Sequence, residues 1–438
     1  MSHLVTPEAL REAWSLLGPE TRLEAFLALD RAESVPFFKG LSAHDQAEVL
    51  RGCPADERNL WAHLLAPDDL VDVLQQLEPD TRAAILATLD GVTRREAGAL
   101  LAYAQDAAGG LMNPRFLRAR PEMTADEAIR YVRRQAEGQT VETIYYVYVL
   151  DAEQRLLGVL SVRELLAARA DRPLREIMRT EFVSVRDDQD REAVAKAVAK
   201  HDLLAVPVLD AEGRMQGIVT VDDVVDVVEA EATEDIQKLG GSAALDHPYL
   251  QTGFGRMLKK RAGWLAVLFV GEMLTASAMA HFEEEIAKAV VLALFVPLII
   301  SSGGNSGSQA STLVIRALAL GEVRLRDWWH IVRRELASGV ALGAILATIG
   351  ATRILVWQWT GLGDYGPHHA LVALTVALSL VGVVVFGTVS GSMLPLVLRR
   401  WGLDPASASA PFVATLVDVT GLVIYFTVAA VVLDGTIL

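Results

Sequence analysis

The run Pro411 to Leu433 is apolar except for one carboxylate, Asp418. At about 1.5 Å per residue it is long enough, as a helix, to cross a hydrocarbon core of about 30 Å. A carboxylate at that depth is costly unless water, a partner or a cation meets it. Asp418 therefore marks an ion path, with a purely structural bond to a neighbouring helix as the alternative. A second constellation is Pro297-Leu-Ile-Ile-Ser-Ser-Gly-Gly-Asn-Ser-Gly-Ser-Gln-Ala-Ser-Thr, which sets Gly303, Gly304, Asn305, Gly307 and Gln309 inside another apolar run. Irregular or polar backbone at membrane depth is tolerated where it is buried or lines a wet cavity, so this span is expected to depart from a plain helix. Close packing of small residues is the plainer reading. A third is the acidic helix opening at Val221, where Asp222, Asp226, Glu229 and Glu231 recur at helical spacing. Like charges on one side repel unless a cation neutralises them. Oxygen ligands without Cys or His suit Mg2+ or Ca2+ rather than zinc.

The elements that position these residues fall into two unlike halves. Up to residue 250 the chain carries 27 Lys and Arg against 44 Asp and Glu, and beyond it 13 against 11. An acidic, soluble half thus precedes an apolar one. Met1 to Gly40 reads as an amphipathic helical start and not as a cleavable signal. Cys53 is the only cysteine, which rules out an internal disulfide and fits a reducing cytoplasm around the first half.

Residues 1 to about 110 read as short helices. Pro67 and Pro79 stand at first helical positions, with apolar residues three and four apart behind them. The acids Asp68, Asp69, Asp72, Asp90 and Glu96 form either an ordinary solvated face of a protein-binding module or part of a cation-sensing face. A repeat follows. Leu150-Asp-Ala-Glu-Gln-Arg-Leu-Leu-Gly-Val-Leu-Ser-Val lines up with Leu209-Asp-Ala-Glu-Gly-Arg-Met-Gln-Gly-Ile-Val-Thr-Val, each copy reading as strand, turn, strand and helix. With Met112 and Met178 opening the units, and with Val206-Pro-Val-Leu-Asp and Gly217-Ile-Val-Thr-Val-Asp-Asp, the repeat resembles a pair of CBS domains. That resemblance implies an adenine-nucleotide site at Thr220 and Asp223, or else a pair that serves dimerisation and movement alone. In the first copy Ser161 and Glu164 occupy the matching positions. Gly240-Gly241 then breaks the acidic helix, and the segment from Asp246 to Lys259-Lys-Arg is placed to carry motion into the apolar half.

That half offers five spans, about 262–281, 286–318, 336–357, 370–398 and 409–433. Lys259, Lys260 and Arg261, then Arg324, Arg326, Arg333 and Arg334, then Arg399 and Arg400 all fall on one face. By the positive-inside rule the soluble half lies in the cytoplasm and the C-terminus outside. His281, His368 and His369 read as residues of wet outer loops.

Pro297 to Arg316 together with Pro411-Phe-Val-Ala-Thr-Leu-Val-Asp-Val-Thr-Gly-Leu resembles the MgtE family of magnesium channels and transporters, over nearly the whole chain. The resemblance implies that Asp418 holds a hydrated Mg2+ beside the Ala414 carbonyl. It also implies sensing cations among Glu212, Asp222, Asp226, Asp246 and Asp404, with Asp90 as a further acid of the helical domain. Gln251 stands where the family pattern has an acid.

The expected fold is a multi-domain one. An all-α helical-repeat N-terminal regulatory domain (1–110) precedes an α/β tandem CBS pair (111–230), a connecting helix (231–258) and an α-helical membrane domain of five spans (259–438). The expected function is import of Mg2+ by a homodimer in the plasma membrane. Mg2+ serves as substrate and as closing regulator, and ATP is a modulator at the CBS pair. An ion-coupled carrier, with Glu272 as its second titrating group, and a non-transporting nucleotide sensor are the other readings. No nucleic-acid partner and no enzyme are indicated, since no nucleophile and base pair, phosphate loop or zinc spacing is present.

Overall fold

The computed structural model describes residues 6–137, 141–245 and 248–436. It divides into two units, Met1–Glu231 and Ala232–Leu438. In the first, eight short helices follow one another: α1 (Pro7–Ala13), α2 (Pro19–Leu27), α3 (Arg31–Lys39), α4 (Ala43–Gly52), α5 (Ala55–Ala62), α6 (Pro67–Gln75), α7 (Pro79–Thr88) and α8 (Gly91–Leu100). Proline opens α1, α2, α6 and α7, where its missing N–H costs no helical bond. Thr6, Ser42 and Asp90 cap α1, α4 and α8 with side-chain oxygens. Helices this short do not persist alone, and an aromatic core holds them. Phe26 stacks 4.9 Å from Trp61, and Trp14 meets Phe37 edge-on at 5.2 Å. Arg22 is buried here, donating to the Trp14 carbonyl at 2.7 Å and pairing with Asp45 and Glu48.

After α9 (Ala108–Leu111) come β1 (Arg118–Ala119), α10 (Ala125–Glu137), β2 (Tyr146–Leu150), β3 (Leu156–Ser161) and α11 (Val162–Ala167). The second copy comprises α12 (Leu174–Ile177), β4 (Val185–Arg186), α13 (Arg191–His201), β5 (Ala205–Leu209), β6 (Met215–Thr220) and the long α14 (Val221–Leu239). Each copy forms a three-stranded sheet, with the first strand parallel and the last antiparallel to the middle one. The registers correspond: Tyr146 faces Ser161 as Ala205 faces Thr220. The copies are also cross-linked by backbone, since Asn113 bridges to Ile218 and Arg179 bridges to Val159. Gly217 and Gly158 permit this. A Cβ at Gly217 would lie 2.7 Å from the Asn113 carbonyl oxygen, and one at Gly158 would lie 2.8 Å from the Met178 side chain.

In the second unit, α15 (Phe254–His281) leads through the short α16 (Glu283–Lys288) and α17 (Val290–Ala293) to α18 (Val296–Ala319). Then come α19 (Trp328–Thr360), α20 (His369–Arg400) and α21 (Ala410–Leu433). Among the described residues, five helical stretches are long and apolar enough to cross a membrane. The span expected to be irregular at Gly303 to Gly307 is one continuous helix there, and its irregularity lies earlier, in the broken pieces α16 and α17. The glycines serve a helix crossing instead. A Cβ at Gly387 would fall 2.4 Å from the Gly303 carbonyl oxygen, and one at Gly391 would fall 2.2 Å from that of Gly307. Removing side chains lets α18 and α20 touch along their backbones, which supplies packing where no hydrophobic drive between helices exists. Around this crossing lies a core of Phe295, Val372, Val383 and Phe426, with the buried Tyr425 hydroxyl donating to the Leu292 carbonyl at 2.9 Å.

A side chain at this crossing must push two backbones apart. Gly391→Val is expected to lose about 1–3 kcal/mol of stability, seen as a lower melting temperature in detergent. Gly98→Ala, where an added Cβ meets nothing within 4 Å, is expected to leave it unchanged.

Candidate cation sites

Ser409 caps α21 and Pro411 opens it, which fixes the phase of the helix so that Ala414 and Asp418 share one face a turn apart. Asp418 is half-buried, and a hydrogen bond joins its carboxyl to that of Glu272 on α15. Two carboxyl groups this close repel when both are ionised unless a proton or a cation lies between them. Gly271, beside Glu272, admits the Thr415 methyl group to within 2.9 Å of where its Cβ would be, so α15 lies tightly on α21 at this level. Of the four residues expected along a pore, Gly304 faces Ala414, whose Cα is 3.5 Å from a Cβ built at that glycine. Asn305 is exposed, its amide within 3.4 Å of the Ser301 hydroxyl. Gly303 and Gly307 do not line a wall. They are four residues apart, one helical turn, and both are buried against α20. Ser308 and Ser311 donate to the carbonyls of Ala410 and Ala408, tying α18 to the start of α21.

In the first unit, α6 and α14 contribute Leu70, Val71, Leu74, Val224 and Val227 to one core. The polar edges of the two helices carry Asp68, Asp69 and Asp72, and Asp222, Asp223 and Asp226. Glu142 joins them. The buried Asn113 amide donates to Asp68 at 3.0 Å and to Glu142 at 2.8 Å. Burial raises the Asp68 carboxyl well above the carboxylate range, and the charges of Asp223, Asp69 and Glu142 add to it. Burial, then Asp69 and Asp226, lifts Asp72 to about 7. Asp223 also reaches about 7 through burial, although hydrogen bonds from Thr220 pull the other way. Burial raises Asp69 and Asp226 too, with Asp222 adding to both. Among the described residues no three His, Cys, Asp or Glu side chains converge closely enough to hold a metal ion. The cluster is therefore an electrostatic one, acids within mutual repulsion and short of a closed cage.

The remaining expected acids stand elsewhere. Asp90 caps α8, accepting from the Val92 and Thr93 N–H groups, and those bonds hold its carboxyl down at about 2. Glu212 pairs with Arg214 at 3.0 Å, and Glu96 with Arg115 at 2.8 Å. Asp404 pairs with Lys238. Asp246 lies outside the described residues. Thr220 and Asp223 hold each other: the Thr220 hydroxyl donates to Asp223 at 2.6 Å at the start of α14, as Ser161 and Glu164 do at the start of α11. A cleft of about 600 Å3 opens elsewhere in the CBS pair, lined by Tyr146, Tyr148, Arg179, His201 and Pro207 among others. The Tyr148 hydroxyl is buried there without a partner among the described residues. Sequence reasoning missed Glu142 and Asn113, which nothing local marks. It also passed over the Ser/Thr-x-x-Asp/Glu spacing, a helix-capping signal that was available.

Between about pH 4 and about pH 7, Asp72 and Asp223 keep their protons in the folded chain and lose them in the unfolded one. Folding takes up protons in that window, so stability falls as pH rises through it. In divalent-free buffer, backbone hydrogen exchange in α6 and α14 is expected to quicken as pH is raised past about 7, after correction for the intrinsic rate. Asp72→Asn with Asp223→Asn is expected to flatten that dependence.

A family model described as divalent cation transporter matches residues 296–428, and one described as the MgtE intracellular N domain matches 5–106. CBS domain models match 108–171 and 174–230. The magnesium transporter MgtE of Thermus thermophilus is 41% identical over 434 residues, covering 98% of this chain and 94% of that one. The Bacillus subtilis magnesium transporter MgtE is 29% identical, covering 94% and 88%. A crystal structure of the cytosolic domain of the Mg2+ channel MgtE in complex with ATP is 41% identical and covers 51% of this chain and 91% of that one, with a TM-score of 0.47. With such identity sustained along nearly its entire length, the chain belongs to the MgtE family of magnesium transporters.

Proposed function

We propose that this chain carries Mg2+ across a membrane along a path past Asp418 and is not an enzyme. The observation that carries the reading is a carboxyl in an apolar span, faced by a second carboxyl and by the bare backbone at Gly304 and Ala414. Mg2+ gives up its water reluctantly, so a site of one or two carboxylates and a few carbonyls holds the hydrated ion without trapping it. Asn305 and Gly304 belong to the same path. Two copies complete it, because α15 leaves Leu265, Phe269, Val270 and Leu274 exposed and α18 leaves Asn305 unpacked. Basic clusters on one face of the spans put the first unit in the cytoplasm and the C-terminus outside.

Regulation follows from the acids of α6 and α14. Mg2+ entering between Asp69, Asp72, Asp222 and Asp226 offsets their repulsion and draws the helical domain onto the CBS pair. At low Mg2+ the repulsion is unrelieved. The ion shifts the balance because it binds the drawn-together arrangement better. An adenine nucleotide enters the 600 Å3 cleft, with Arg179 toward phosphate and the tyrosines toward the base. Thr220 and Asp223 then act as the cap of α14.

A coupled carrier is the second reading, because Glu272 stands against Asp418. Divalent-cation flux into proteoliposomes separates the two. Mg2+ uptake that needs no proton gradient and vanishes in Asp418→Ala supports the channel-like path. Uptake that requires the gradient and loses that requirement in Glu272→Gln supports the carrier, and wild-type protein without flux overturns both. Asp222→Asn with Asp226→Asn is expected to raise the Mg2+ concentration for half-closure by about tenfold, read in the same assay.

A further inference from the structure

The end of α14 remote from the acid cluster already holds a cation. Lys238, in its last turn, pairs with Glu234 one turn back and reaches across to Asp404 Oδ2 at 2.5 Å. The other oxygen of Asp404 accepts from the Ala406 N–H at 2.9 Å, and its carbonyl accepts from Ser407 at 3.1 Å. One carboxylate thus caps the short turn Pro405–Ser407 and holds the ammonium. The turn runs directly into α21. Ala406, Ala408 and Ser409 are all buried, Leu239 packs against the two alanines, and Trp264 donates to Ser409 at 3.2 Å. Gly241 closes the contact: a Cβ there would lie 3.0 Å from the Trp264 indole nitrogen and 3.1 Å from Pro411.

We propose that Lys238 is a positioning residue for the cation path, a built-in monovalent counter-ion that fastens the end of α14 to the turn starting α21. The proposal rests on the transport reading above. A tethered ammonium is present at high effective concentration whatever the Mg2+ level. It also cuts the net charge of Glu234 and Asp404 from two to one, which weakens their pull on a divalent ion. Asp404 is then served by the lysine and is no Mg2+-sensing acid. The joint stays made while the acid cluster opens and closes, so movement of α14 is delivered to α21 and Asp418 instead of being absorbed at a loose connection.

Two measurements on the full-length chain test this. In proteoliposomes, Lys238→Gln is expected to conduct at low Mg2+ as the wild type does, while the ratio of flux at low to high Mg2+ falls about fivefold. Lys238→Arg keeps the ratio, and the exchange Lys238→Asp with Asp404→Lys recovers it. An unchanged ratio in Lys238→Gln, or an exchange that recovers nothing, overturns the proposal. In detergent, Mn2+ titration followed by electron paramagnetic resonance is expected to give the same stoichiometry for Asp404→Asn and wild type. Loss of one equivalent in Asp404→Asn overturns it. Wild-type flux that high Mg2+ fails to close defeats the gating reading instead, and the Mn2+ stoichiometry still decides the joint.

Discussion

Carboxylates brought together in poorly solvated places without a matching counter-charge are the constraint on which this molecule turns. Between α6 and α14, burial and mutual repulsion leave Asp68, Asp72 and Asp223 reluctant to ionise. In the spans, Asp418 and Glu272 share one hydrogen bond. Such arrangements are unfavourable as protein interactions and become favourable when a cation arrives, which makes the local packing a function of cation concentration. The chain supplies its own cation only at the far end of α14, through Lys238. One helix therefore has an end that answers to ions in solution and an end that does not.

The rest of the fold makes that helix a stiff link. The two sheets of the CBS pair are joined by reciprocal backbone bridges, Asn113 to Ile218 and Arg179 to Val159, through glycines that permit contact. Arg191 of α13 pairs with Glu231 at 2.7 Å and holds α14 to its own sheet layer. In the second unit the Gly303, Gly307, Gly387 and Gly391 crossing locks α18 to α20. Ser308 and Ser311 then hang the start of α21 on α18. Between stiff pieces, small displacements are passed along and not dissipated.

Much of the architecture was legible in the residues because it follows from local periodicity. Prolines at first helical positions, the repeat at Leu150 and Leu209, and five apolar runs each describe one segment in isolation. The candidate sites were legible in part. Asp418 was marked by its apolar surroundings, and Asp222 and Asp226 by helical spacing. Asp90, Glu212 and Asp404 looked equivalent to them as acids, yet the structure commits them to a helix cap, an arginine and a lysine. Chemical type alone does not reveal a partner distant in the chain.

The sequence by itself determined which segments are helices, strands and spans, and that an unneutralised carboxylate sits in one span, since these depend on neighbours within a turn or two. Only the tertiary structure decided which glycines cross helices and which leave backbone bare, and that Glu272 meets Asp418. It also brought Glu142 and Asn113 into the acid cluster and gave Asp404 to Lys238. Each of these depends on the distance between groups far apart in the chain. Coulomb and contact energies fall off within a few ångströms, so they are set only when the helices have docked.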